Sequence, residues 1–154
     1  MRRVAHIKSA GEWTASSAID RVVLDASDRQ RRRIVMTGEK GTQFLIDFAK
    51  PVSLRDGDGL VLDDRSIVLV SGAHEQLVEI SAGSALDAVR LVWHLGNRHT
   101  AVQIVDSKIR IRRDHVLENM LRGFGATLTP LDAAFDPEPG APVHESHREH
   151  DHGA

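Results

Sequence analysis

The 154-residue sequence predicts an α+β protein: a small all-β domain, then a ferredoxin-like βαββαβ domain, then a flexible His-rich tail. Three observations predict it. From Ile19 to Gly72 apolar residues recur with period two, the signature of half-buried strands. Around Ser84–Gly96 and Asp114–Gly123 the period lengthens to that of amphipathic helices. After Leu131 the apolar pattern stops, and prolines at 137, 139 and 142 follow. The expected units are residues 1–72, 73–133 and 134–154.

In the first unit, IDRVVLDA alternates Val22 and Leu24 with charged neighbours. RRRIVMTG and TQFLIDFA flank the turn signal around Gly38–Gly41 and read as a hairpin. GLVLDD and SIVLVSG follow, joined by a polar turn at Asp63–Ser66. The expectation is about six short strands. The run Arg29, Arg31, Arg32, Arg33 reads as the solvated start of a strand, balanced by Asp20, Asp25 and Asp28. Its other reading is a contact for an acidic partner. Base stacking is unsupported, because no aromatic residue is interleaved.

The second unit opens with the strand Glu75–Ser81. In the helix that follows, Ser84 is the N-cap, Gly96 the residue past the end, and Leu86, Val89, Val92, Trp93 and Leu95 the apolar face. TAVQIVD and KIRIRR pair across Asp106–Ser107. A second helix starts at the N-cap Asp114 and turns Val116, Leu117, Met120 and Leu121 to the core. ATLTPLD supplies the last strand. The order β-α-β-β-α-β is the split βαβ unit, which hosts many functions and decides none.

Composition narrows the classes. Twenty basic and 22 acidic residues leave no basic field for nucleic acid. With no cysteine there is no disulfide, thiolate zinc site or cysteine nucleophile, which fits a cytoplasmic protein. The N-terminal MRRVAHIKSAGEW lacks the apolar stretch of a secretory signal. No run approaches the roughly 20 apolar residues that span a bilayer. The sequence holds no P-loop, dinucleotide fingerprint, nucleophile elbow or HExxH, so the expectation is a protein that is not an enzyme.

The chemistry concentrates in VHESHREHDHGA, where His144, His147, His150 and His152 make up four of the nine histidines. Such spacing on a flexible chain lets two or more imidazoles meet one Zn, Cu, Ni or Fe ion. Glu145, Glu149 and Asp151 can add oxygen ligands. Nothing pre-organises the site, so it is labile. Ordering costs roughly 1–2 kcal/mol per residue. Read on their own, the other histidines are bland. His99 is an exposed turn residue beside Arg98, His94 sits in the last turn of a helix, and His115 opens the next helix.

HLGNRHTAVQI (94–104), DHVLENMLRGFG (114–125), FDPEPGAP (135–142) and the His-rich end occur in one order. Together with RRRIVMTGEKGTQFLIDF and LRDGDGLVLDDRSIVLV they resemble the UreE family of urease accessory proteins. The resemblance implies a nickel metallochaperone with a first domain like a chaperone peptide-binding domain. It implies a homodimer formed through the second domains, with His99, the histidine of GNRH, shared between two copies at one Ni(II) ion. The urease accessory GTPase and apo-urease are the implied partners. Some members carry His-Asp-His before the second helix; here the residues are Arg113-Asp114-His115, so His115 alone carries over as a minor ligand.

A two-fold interface would bring His99 against its own copy, and two nitrogens leave the ion's sphere open. The roughly ten residues from Pro142 to His152 span about 17 Å as a flexible chain, a reach that makes delivery from the tail to the His99 pair plausible. Zn(II) and Cu(II) suit the same donors, so nickel comes from the resemblance. The rival reading is a protein- or peptide-binding module whose tail buffers divalent metals without selectivity.

Overall fold

A computed structural model describes residues 1–139 of the chain. The first domain is one nearly closed six-stranded sheet: β1 (Arg2–Lys8), β2 (Asp20–Leu24), β3 (Arg33–Thr37), β4 (Gln43–Asp47), β5 (Gly59–Leu62) and β6 (Ile67–Gly72), in the order β2-β6-β5-β1-β4-β3. β1 pairs parallel with β4, and β2 with β6; the remaining pairs are antiparallel. Inward residues of these strands, among them Val22, Phe44, Ile46, Leu60, Val68 and Val70, enclose one apolar core.

The hairpin at Gly38–Gly41 forms as expected, pinned by a buried carboxylate. Asp20 accepts the backbone N–H groups of Arg21, Lys40 and Thr42 at 2.6, 2.9 and 3.1 Å. Burial pushes its carboxyl up, but these donors outweigh burial and hold it at about 2. A side chain at Gly38 would run into this carboxylate, its Cβ falling 2.3 Å from Asp20 Oδ2.

β1 is a strand that the sequence pattern does not announce. Its register shifts between Val4 and His6, so Val4 and Ile7 face the core three residues apart instead of two. The bulge hides the alternation. It nevertheless lies inside the sheet, between β5 and β4.

The second domain follows the expected order: β7 (His74–Ser81), α1 (Ala85–Asn97), β8 (Gln103–Val105), β9 (Lys108–Arg112), α2 (His115–Gly123) and β10 (Thr127–Ala134). Its sheet is antiparallel throughout, ordered β10-β7-β9-β8. Val78, Ile80, Ile109 and Ile111 pack under Leu91, Leu95 and Leu121 of the helices. Pro130 is tolerated because β10 is an edge strand.

Two expectations about helix faces change. Leu86, Val89 and Trp93 stand 58%, 65% and 62% exposed, and α1 anchors through Leu91 and Leu95 instead. Val116 is exposed as well, while Glu118 is buried.

The two domains are joined by more than their link. A third apolar cluster unites Ala26 of the first domain with Leu77 and Phe135 of the second. The Ala26 N–H donates to Glu75 at 3.0 Å and the Ala73 N–H to the Leu24 carbonyl at 2.7 Å. The chain stays packed past residue 134, where the pattern had placed the start of the tail: Phe135 is fully buried and the Arg112 guanidinium lies 4.9 Å from its ring centre.

Arg29 corrects the reading of the arginine run. It is 1% exposed. Its Nε donates to the Leu24 carbonyl at 3.2 Å and its Nη1 to the Leu54 carbonyl at 3.1 Å. Nη1 also pairs with the Asp136 carboxylate, and Nη2 donates to the Phe135 carbonyl. Acceptors more than 100 residues away in sequence make this burial tolerable.

Candidate metal centre

The antiparallel order sends several chain ends to one end of the second sheet. β7 begins there, at His74 opposite Ala134, the last residue of β10. α1 returns toward that end, and β8 leaves it at Gln103. β9 arrives at Arg112, opposite Leu77, and α2 departs at His115. The His99 turn, the α2 N-terminus and the segment after β10 therefore share one side of the sheet.

α1 runs one residue beyond Gly96, to Asn97, and the left-handed residue is neither of these but His99, at φ 55°. The Thr100 N–H donates to the Leu95 carbonyl at 3.1 Å and the His99 N–H to the Gly96 carbonyl at 3.0 Å. That is the Schellman arrangement with His99 at the position glycine usually takes. Positive φ is uncommon for a residue with a Cβ, although His is among those enriched there. The turn leaves the His99 side chain exposed.

His115 occupies the first position of α2, exposed, after Asp114 caps the helix by accepting the Leu117 N–H at 2.9 Å. Arg113, where some relatives of the resembled family carry histidine, is committed elsewhere. Its Nε and Nη2 donate to the two Glu118 oxygens at 3.0 and 3.1 Å, and the Asp114 N–H adds 2.8 Å. Arg113 beside it holds the Glu118 carboxyl below its usual range against the opposing effect of burial. His94 is taken up in aromatic packing, stacked 4.4 Å from Phe124 and edge-on to Trp93 at 5.0 Å.

Among the described residues, no group of three or more His, Asp or Glu side chains is gathered to hold an ion. His99 presents a single exposed imidazole there. His144, His147, His150 and His152 lie outside the described residues. Along α1, Leu86, Val89 and Trp93 stand exposed, and Val89 and Ile104 border an apolar groove of about 240 Å³ between α1 and the β8–β9 hairpin, toward the end of the sheet away from His99.

The sequence reading missed Asp136, Gln103 and Arg29 as participants near this end. The Asp136 N–H donates to Gln103 Oε1 at 3.2 Å, and the Glu138 N–H to the Val102 carbonyl at 2.7 Å. Only the FDPEPGAP stretch drew notice to the region, and it carries no periodicity that would reveal these partners.

Family models for the N-terminal and C-terminal domains of the UreE urease accessory protein match residues 2–73 and 75–154. This chain belongs to the UreE family. It is 47% identical over 152 residues to the urease accessory protein UreE of Rhodopseudomonas palustris strain BisB18, covering 99% of this chain and 72% of that one. The UreE protein of Bradyrhizobium sp. strain BTAi1 is 48% identical over 155 residues, covering 98% and 75%. That of Beijerinckia indica is 41% identical over 152 residues, covering 99% and 87%. UreE membership agrees with the two-domain α+β architecture. No helix among the described residues is long and apolar enough to cross a membrane.

Proposed function

We propose that this chain is a nickel metallochaperone: a cytoplasmic homodimer that binds Ni(II) and delivers it for assembly of the urease active site, without catalysing a reaction. The observation that carries the reading is His99, exposed at a left-handed turn that ends a helix whose Leu86, Val89 and Trp93 are exposed too. Two copies packed about an axis near the Trp93 end of α1 would bring two such imidazoles together, because a two-fold interface presents the same patch from both sides. Imidazole is a borderline ligand suited to Ni(II), and the open coordination positions suit cargo that must leave again. His144, His147, His150 and His152 act as the capturing set, and His115 as a minor ligand. The urease accessory GTPase and apo-urease receive the ion. Zn(II) and Cu(II) compete for the same nitrogens.

Calorimetric nickel titration of three forms tests the site: the full chain, a truncation after Val143, and that truncation carrying His99→Ala. Truncation is expected to lower capacity but leave about one ion per dimer, and His99→Ala to remove that ion. An unchanged stoichiometry in the His99→Ala form would favour the buffering module instead. A second expectation concerns acidity. Metal on the tail imidazoles should fall steeply between about pH 7 and 5.5 as they protonate. Occupancy that stays level over that range would assign the metal to carboxylates.

A further inference from the structure

The chain is secured differently on the two sides of His99. Before it stands α1, and the bonds of the closing turn reach back to Leu95 and Gly96. After it, Thr100, Ala101 and Val102 lead into β8, the shortest described strand at three residues. β8 is also an edge: among the described residues its only strand neighbour is β9. Local opening is easiest where few contacts hold a segment. A left-handed residue with a Cβ, moreover, persists only where its surroundings over-determine it. Something beyond α1 has to hold this turn.

The second attachment comes from the residues after β10. The Glu138 N–H donates to the Val102 carbonyl at 2.7 Å, and the Asp136 N–H to Gln103 Oε1 at 3.2 Å. Phe135 and Pro137, on either side of Asp136, are buried, and Gln103 is 9% exposed. This short segment is anchored in turn by the first domain. Arg29 pairs with the Asp136 carboxylate and donates to the Phe135 carbonyl, and the Asp56 N–H donates to the same carboxylate at 3.2 Å. A path of contacts thus runs from the buried Arg29 guanidinium through Asp136 to Gln103, four residues from His99.

We infer that Phe135–Glu138 is a strap that sets the His99 turn, with Asp136 and Gln103 as positioning residues and Arg29 as their anchor. This rests on the proposed nickel site. A shared ion needs imidazoles arriving in fixed directions from two copies. A turn held at both ends has less freedom to lose when the ion binds. The first domain would then act on the metal site of the second without touching it.

The test uses the full chain and nickel alone, with affinity read by competition with a chelator. Glu138→Pro removes the N–H that meets Val102. Its side chain is exposed and lies beyond β10, so the Arg29 cluster stays whole. Gln103→Leu removes the other bond and serves should Glu138→Pro not fold. Each variant is expected to lower the affinity of the tightest site about ten-fold, as loss of groups that orient metal ligands does. The effect should vanish when His99 is already alanine, because residues acting through one another are not additive. In the metal-free variants, backbone order parameters of residues 99–101 should drop from about 0.85 to below about 0.6. Unaltered nickel affinity in both variants would leave the strap a structural brace and overturn the inference. An equal loss in the His99→Ala background would overturn it too. His99→Ala binding nickel as the native chain does is a separate failure, that of the proposed site. The order parameters then read the strap alone, in support if the turn loosens and against it if the turn stays rigid.

Discussion

The two helices of the second domain end in the same hydrogen-bonded turn, yet they put different residues at its left-handed position. α2 places Gly125 there, at φ 85°, with bonds from Ala126 to Leu121 and from Gly125 to Arg122. α1 places His99 there with the equivalent pair. A Cβ in the left-handed region costs roughly 1–2 kcal/mol, and glycine escapes that cost. The faces differ in the same sense. α2 turns Leu121 and Glu118 inward and fixes its own start through Arg113 and Asp114, whereas α1 buries Leu91 and Leu95 but leaves Leu86, Val89 and Trp93 uncovered. α2 leaves Val116 of its first turn exposed but commits the rest of its apolar side to the fold. α1 is followed by a left-handed His99 and leaves Leu86, Val89 and Trp93 of its apolar arc uncovered, the arrangement the proposed shared metal site would use.

The largest effect that would break this contrast is on assembly. Val89→Glu with Trp93→Glu is expected to convert a dimer to monomers in sedimentation at micromolar concentration. Far-ultraviolet circular dichroism should stay native, because substitutions at exposed positions cost little of the fold. Loss of the fold itself would show that α1 is as inward-facing as α2.

The next effect belongs to α2. Glu118→Gln weakens two charge-assisted bonds and is expected to cost about 2 kcal/mol in urea unfolding at pH 7. The sign of its pH dependence is fixed by the lowered carboxyl. The native pair contributes above the usual carboxylate range and loses that contribution as pH falls below about 4, so the gap between variant and native protein should close in acid.

Smallest are the two turn substitutions, which should move stability in opposite directions. Gly125→Ala is expected to cost about 1 kcal/mol, and His99→Gly to gain up to about 1 kcal/mol while abolishing the remaining nickel site. A stability gain coupled to loss of metal is the clearest sign that His99 is kept against the preference of its backbone. If His99→Gly destabilised the chain, the residue would be serving the fold.

Much of this was legible in the sequence. The βαββαβ order was readable because the apolar period switches from two to helical and back, with Ser84 and Asp114 in cap positions whose side chains do accept the N3 amides. β1 was not readable, since its bulge spaces Val4 and Ile7 by three. The direction of α1 was half readable. Its apolar arc is too wide for one interface, and periodicity cannot separate a residue facing its own core from one facing another surface. Arg29 was misread because a run of arginines looks solvated until the distant acceptors at 135 and 136 are known. His99 stood out only through its motif, and the backbone strain that marks it exists only in three dimensions.

The Arg29 cluster also bears on modularity. Two family models meet near residue 74, as though the chain were two exchangeable cassettes. It is not cut there in space. A first domain ending at Gly72 would keep the guanidinium and lose the Phe135 and Asp136 oxygens that neutralise and satisfy it. A chimera joining this first domain to another second domain would have to bring a compatible Phe-Asp pair from the far side of β10. Recombination between members is therefore constrained at two separated points of the chain, and a crossover chosen from the linker alone would strand a buried charge.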